Sequence, residues 1–196
     1  MVTRAHGTAR DIARVAIRAR LTEVAIDLFR RDGFDRVTVN DVAEAAGVSR
    51  STFLRYFGTK EEAVLSTSDE HEAEVAEALR KRPATEDDWT ALRRSLDPVL
   101  RHYGHDPATA LLLAQLIAET PALRARNLER QANLRPVLAA IVAERSGAPS
   151  DAIRPAVLAA TALICLSIAV DQWTASKGER DLPGLLDQAF ATLAHS

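Results

Sequence analysis

The chain has 196 residues, 47% of them hydrophobic, a formal net charge of −2 and a single cysteine. That length buries one large core or two small adjoining ones. The lone Cys165 excludes an internal disulfide and any multi-cysteine metal site, which fits a reducing cytoplasm.

The small net charge conceals an asymmetry. Residues 1–60 hold 11 basic and 7 acidic side chains, a balance of +4, and the remainder carries 14 and 20, a balance of −6. A basic front on an acidic body implies that only the front meets phosphate. Five of the nine aromatics (Phe29, Phe34, Phe53, Tyr56, Phe57) also lie in the front, as a small core requires. Residues 1–20 are rich in Arg and Ala without an apolar run, so no secretory signal is expected. The longest uncharged stretch, Pro155 to Val170, is 16 residues, short of the roughly 20 of a membrane span. A buried helix and no membrane association are expected there.

The whole chain reads as helix, and about nine helices are expected. The first spans 11–32, with Ile17, Leu21, Val24, Ala25 and Leu28 as its apolar stripe. Arg30 and Arg31 suit its last turn, Gly33 its left-handed cap and Phe34 the closing hydrophobic contact. Thr38 and Asp41 form a capping pair for a short helix carrying Val42, Ala43 and Ala46, which breaks at Gly47. Ser49 caps a further helix over 50–57, and Gly58 stops it. Thr59-Lys60-Glu61-Glu62 opens a long helix towards Arg82. Pro83, Ala84 and Thr85 mark a boundary. Five body helices are expected over 86–102, 108–119, 121–145, 151–176 and 182–194, joined by the short connections that packed antiparallel helices use.

The stretch from Asn40 to Phe57 carries the functional signal. Two short helices around a glycine-containing turn describe a helix-turn-helix. Ala43 permits a close crossing, and Val48, Phe53 and Phe57 lock the second helix onto the first. Ser49, Arg50, Ser51, Thr52 and Arg55 remain exposed, short hydroxyls and guanidinium groups suited to phosphates and base edges.

The run Phe29…Gly33-Phe34…Val37-Thr38-Val39…Val42-Ala43…Ala46-Gly47-Val48-Ser49…Thr52-Phe53…Tyr56-Phe57…Lys60-Glu61 resembles the TetR/AcrR signature across about residues 12–65. The resemblance implies an all-α protein: a three-helix DNA-binding domain (1–60), a connecting helix (61–82), and a helical-bundle domain for ligand binding and dimerisation (83–196). It implies a cytoplasmic homodimeric repressor on palindromic double-stranded DNA, responsive to a small hydrophobic or amphipathic effector. By the same resemblance Thr38, Ser49, Tyr56 and Lys60 hold phosphates, Arg50, Ser51 and Thr52 face bases, and Arg55 serves either role. The chain departs from the family at Leu54, where an aromatic is usual. Any contact there is lost or replaced by an apolar touch on a thymine methyl. Arg10, Arg14 and Arg18 are candidates for the DNA backbone or the minor groove.

Family members dimerise through their last two helices. The helix 151–176 is apolar nearly all round, with Val157, Leu158, Leu163, Ile164, Leu166, Ile168, Val170 and Trp173, so several of its sides need cover. Leu163, Leu166 and Val170, with Leu186 and Phe190 of the final helix, are the expected dimer contacts. For an effector pocket the candidates are Trp89, Tyr103, Gln115, Asn127, Gln131 and Trp173, large aromatics and isolated polar groups among apolar neighbours. The body also loosely resembles acyl-CoA-binding members, in which case Arg93, Arg94, Arg124 and Arg126 would meet phosphates. Solvation or ion pairing is the commoner fate of such arginines. Cys165 reads as a small buried hydrophobe.

Catalysis finds no support. His71-Glu72-Ala73-Glu74 begins like a zinc-protease helix but lacks the second histidine, and Gly58-Thr59-Lys60 lacks the upstream glycine of a phosphate loop. His102, His105 and Asp106 stand at a helix end as surface groups. No cofactor or metal is expected. The remaining rival is an architectural DNA binder without an effector, for which broad and strongly salt-dependent binding is expected.

Overall fold

The computed structural model describes residues 9–149 and 152–194, with side chains at 13–65, 71–149 and 152–193. The described residues form ten helices and no strand: α1 (Ala9–Asp32), α2 (Val39–Ala45), α3 (Arg50–Tyr56), α4 (Lys60–Arg80), α5 (Asp88–Ser95), α6 (Asp97–His105), α7 (Pro107–Glu119), α8 (Pro121–Ser146), α9 (Ile153–Ala175) and α10 (Leu182–Ala194). They divide into two compact units, Met1–Ser66 and Thr67–Ser196.

One more helix is present than the nine expected, because the segment 86–102 is two helices. Pro98 is the cause. Its ring nitrogen cannot donate to the carbonyl of Arg94, four residues earlier. That carbonyl and the one at Arg93 instead take the N–H of Leu96, which ends α5 and starts α6 with Pro98 in its first turn.

In the first unit, Leu21, Ala25, Leu28 and Phe29 of α1, Val42 and Ala43 of α2 and Phe53 of α3 are all buried, and α2 packs against both α1 and α3. Rings of Phe29 and Phe34 pack 4.9 Å apart, and those of Phe53 and Phe57 lie 5.6 Å apart. Each fully buried side chain of this kind contributes about 1.5–3 kcal/mol. Ile17 departs from the expected stripe, at 37% exposed. A seven-residue helix is about 10 Å long and α1 about 36 Å, so α2 and α3 cover only part of it. Local chemistry sets the boundaries. Thr38 and Asp41 close a reciprocal capping box on α2, and the Ser49 hydroxyl accepts the N–H of Thr52 at 3.1 Å. Between them Gly47 adopts φ +69°, and the N–H of Val48 bonds the carbonyl of Ala43 at 2.9 Å. The left-handed conformation disfavours any residue with a Cβ, and this turn sets how α3 leaves α2.

In the second unit α8, α9 and α10 pack successively against one another, and α5 and α7 also lie on α9. The core gathers Leu79, Leu92, Leu96, Leu138, Ile141, Val142, Ala159, Ala162, Leu186 and Phe190. By length and composition alone α9 could cross a membrane. One of its sides, with Pro155, Ala159, Ala162, Leu163, Cys165, Ala169 and Trp173, is buried in this core.

The five residues expected at the dimer contact lie in or against the core of the protomer. Leu163, Leu186 and Phe190 are core side chains of the protomer, and Leu166 and Val170 are half-buried against that core. The apolar side of α9 left open is different: Ile153, Val157, Ile164 and Ile168, between 46% and 79% exposed. Their spacings of four, seven and four place them in one stripe along the helix.

Candidate nucleic-acid interface and effector unit

Helix α3 is two-faced. Phe53 is fully buried beneath it, whereas Arg50, Ser51, Leu54 and Arg55 are exposed and Thr52 and Tyr56 are half-buried. Its N-terminus carries a hydroxyl cluster, with Ser49 Oγ 2.9 Å from both Ser51 Oγ and Thr52 Oγ1. The guanidinium of Arg55 lies over the Tyr56 ring at 5.6 Å, and that of Arg18 over Phe57 at 5.4 Å. Arg14 is exposed on α1, and the side chain of Arg10 lies outside the described residues.

Two residues expected to hold phosphates have partners within the fold. Thr38 Oγ1 accepts the N–H of Asp41 at 3.3 Å and donates to its carboxylate at 2.8 Å. The backbone N–H of Thr38 also donates to that carboxylate, and these hydrogen bonds, the backbone one foremost, lower the Asp41 pKa. Lys60 Nζ donates to the carbonyls of Phe34 at 2.7 Å and Val37 at 3.1 Å, and stands 4.2 Å from the Phe34 ring centroid. The loop from α1 to α2 is thereby tied to the start of α4.

Sequence reasoning passed over Asn40. It is exposed near the start of α2, and its Oδ1 accepts a 3.3 Å hydrogen bond from Arg50 Nη1. The ten-residue separation belongs to no local pattern, so only the crossing of α2 and α3 reveals the pair.

In the second unit the expected pocket residues separate into groups. Tyr103 meets Trp173 edge-on at 5.3 Å, and burial, with a smaller push from Asp171, raises the phenol pKa to about 12. Trp89 is elsewhere, stacked on Phe190 at 4.3 Å with its indole N–H on the Phe190 carbonyl at 3.2 Å. Gln115 is half-buried on α7, as are Asn127 and Gln131 on α8. The four arginines considered for phosphate all have protein partners. Arg93 bridges Asp97 and Asp187, Arg94 meets Glu86, Arg124 donates to the Ala118 carbonyl, and Arg126 pairs with Glu129. Among the described residues no group of three or more His, Cys, Asp or Glu is arranged to hold a metal ion. Cys165 is buried, and burial raises its thiol pKa.

Residues 21–66 match the family of bacterial regulatory proteins, tetR family, and residues 86–196 match the MftR C-terminal domain. The chain is 30% identical over 153 residues to the transcriptional regulator MftR of Mycobacterium tuberculosis, covering 78% of this chain and 77% of the relative. The chain belongs to the TetR family.

A second TetR-family relative, the HTH-type transcriptional regulator TcmR of Streptomyces glaucescens, is 33% identical over 140 residues. That alignment covers 68% of this chain and 62% of TcmR. Both relatives are named as transcriptional regulators, not enzymes. The fold is similar to that of Thermus thermophilus FadR, a TetR family repressor solved with lauroyl-CoA, at a TM-score of 0.58 and 23% identity. The match covers 90% of this chain and 93% of FadR.

Proposed function

We propose that this TetR-family regulator is a homodimeric, sequence-specific repressor released from a palindromic operator by a small hydrophobic or amphipathic effector. The observation that carries the reading is the two-faced α3: Phe53 seated in the core, and Arg50, Ser51 and Arg55 exposed on a helix-turn-helix. Residues 1–60 form the DNA-binding domain, 61–82 the connecting helix, and 83–196 the effector-binding and dimerisation domain. Ser49, Thr38, Tyr56 and Lys60 hold phosphates, while Arg50, Ser51 and Thr52 face bases and Arg55 serves either role. Lys60 does so with the ammonium hydrogen left over from its two internal bonds, and Thr38 by turning its hydroxyl hydrogen from the Asp41 carboxylate to the phosphate.

A twofold dimer matches the twofold symmetry of a palindrome. The exposed stripe Ile153, Val157, Ile164 and Ile168 of α9, with the exposed Leu193 of α10, supports a contact between copies through these two helices. An acyl-CoA is the effector class with outside support, through the fold shared with the lauroyl-CoA-bound FadR. Half-buried Leu111, Leu112, Leu113, Leu116 and Ile117 make α7 a suitable apolar lining. Effector binding shifts α4 and changes the separation of the two reading helices. Because coupling is reciprocal, operator DNA weakens effector binding by the same factor.

Selection from a library of randomised duplexes tests the reading. Enrichment of one inverted repeat, lost on adding lauroyl-CoA, is the expected result. A pool as diverse as the input would remove sequence-specific recognition. An enriched repeat that no acyl-CoA releases would leave the DNA reading standing and remove this effector class.

A further inference from the structure

Asn40 and Arg50 form a hydrogen-bonded pair on the outer surface of the helix-turn-helix. Arg50 is the first residue of α3, Asn40 the second of α2, and Arg50 Nη1 donates to Asn40 Oδ1 at 3.3 Å. The fold has little need of this bond. Thr38 and Asp41 cap α2, Phe53 and Phe57 are buried beneath the crossing, and Val48 N–H closes the turn on the Ala43 carbonyl. A long exposed hydrogen bond adds little to stability beside these. Its consequence lies in where the guanidinium is held.

An arginine at an exposed helix end samples many rotamers, and fixing it on a partner costs conformational entropy. A guanidinium carries five N–H donors in a rigid planar fork. Asn40 occupies one of these and leaves four, enough for a two-pronged contact. In the major groove guanine presents two adjacent acceptors, N7 and O6, that match the fork.

Resting on the reading of α3 as the DNA-reading helix, we propose that Asn40 is a positioning residue that pre-orients Arg50 for bidentate recognition of a guanine in each half-site. The pair acts as one unit: Arg50 touches the base, and Asn40 acts through Arg50. Asn40→Ala is a suitable probe because the position is exposed, alanine is a good helix former and the capping box stays intact.

The test is a titration of the full-length protein, Asn40→Ala, Arg50→Ala and the double variant. The duplexes are the one enriched by selection, the same duplex with each base pair replaced in turn, and a scrambled duplex. Both single variants are expected to lose discrimination at the same G·C pair. Asn40→Ala should weaken the enriched duplex about two- to tenfold, the entropy of one immobilised side chain. Its affinity for scrambled duplex and its thermal midpoint should be unchanged, and the double variant should bind no more weakly than Arg50→Ala. The proposal is overturned if Asn40→Ala has no effect, weakens all duplexes alike, lowers the thermal midpoint, or alters a different base pair from Arg50→Ala. Should the wild-type protein prefer no duplex, the DNA-reading assignment fails first and this proposal with it.

Discussion

The imidazole rings of His71 on α4 and His102 on α6 stack with centroids 3.7 Å apart, while His102 Nε2 lies 3.0 Å from a carboxylate oxygen of Glu74. Burial lowers the His71 pKa to about 4, and the neighbouring His102 and Arg130 push the same way against the pull of Glu74. An unfolded histidine titrates near 6.5. Between these values the unfolded chain binds a proton that the folded chain refuses, so stability falls as the pH drops from about 6.5 towards 4.

Discounted for the partial solvent access of the ring, the expected loss is about 1–2 kcal/mol. Urea titrations at pH 7 and pH 5 check it, because most of the carboxylate effects act below that window. His71→Phe keeps a stacking ring and should flatten the slope. An unchanged slope in that variant would assign the acid sensitivity to other groups.

Arg145 fastens the loop between α4 and α5. Its guanidinium donates to the carbonyls of Arg82 at 2.7 Å, Pro83 at 3.0 Å and Glu86 at 3.2 Å. Arg145→Met removes these donors while keeping much of the aliphatic stem, and should cost about 2–3 kcal/mol. The urea midpoint should fall with the slope of the transition unchanged. A midpoint within error of wild type would show that water replaces the guanidinium without loss.

Lys60 holds two loop carbonyls, and this internal role separates it from a purely surface phosphate ligand. Lys60→Met should lower stability by about 1.5–3 kcal/mol, the range for hydrogen bonds to a charged group. It should also weaken enriched and scrambled duplexes by a similar factor and reduce the salt slope by about one. Full stability with weakened DNA binding would assign the ammonium to phosphate alone.

The open stripe of α9 and the core beneath it respond differently to substitution. Ile164 is 57% exposed in the protomer, so Ile164→Arg should leave a helical spectrum intact while shifting sedimentation from dimer to monomer. Leu186 is fully buried, and Leu186→Ala should cost about 2–5 kcal/mol whatever the assembly. A dimer that survives Ile164→Arg would place the interface on another face.

The most legible parts of the fold were those governed by neighbours in sequence. Thr38 with Asp41, Ser49 with Thr52 and Gly33 after α1 are short-range solutions to unsatisfied helix ends, and each stands where the residue types require. The break between α5 and α6 was hidden because the apolar pattern continues through Pro98. The facing of α9 was hidden for a different reason. With almost no polar side there is no phase to read, and Leu163, expected at the dimer contact, is buried within its own protomer. Within the candidate site, the exposed α3 residues were recognisable from the buried Phe53 and Phe57 that leave them outside. The Lys60 contacts and the Asn40–Arg50 pair depend on tertiary placement, which no local pattern encodes.

The most direct measurement is a native mass spectrum of the full-length protein with equal amounts of the enriched duplex and a scrambled duplex of different mass. Two protomers on the enriched duplex, with the scrambled duplex largely free, is the predicted spectrum. One protomer per duplex, or equal occupancy of both duplexes, would contradict a twofold repressor that reads sequence through α3.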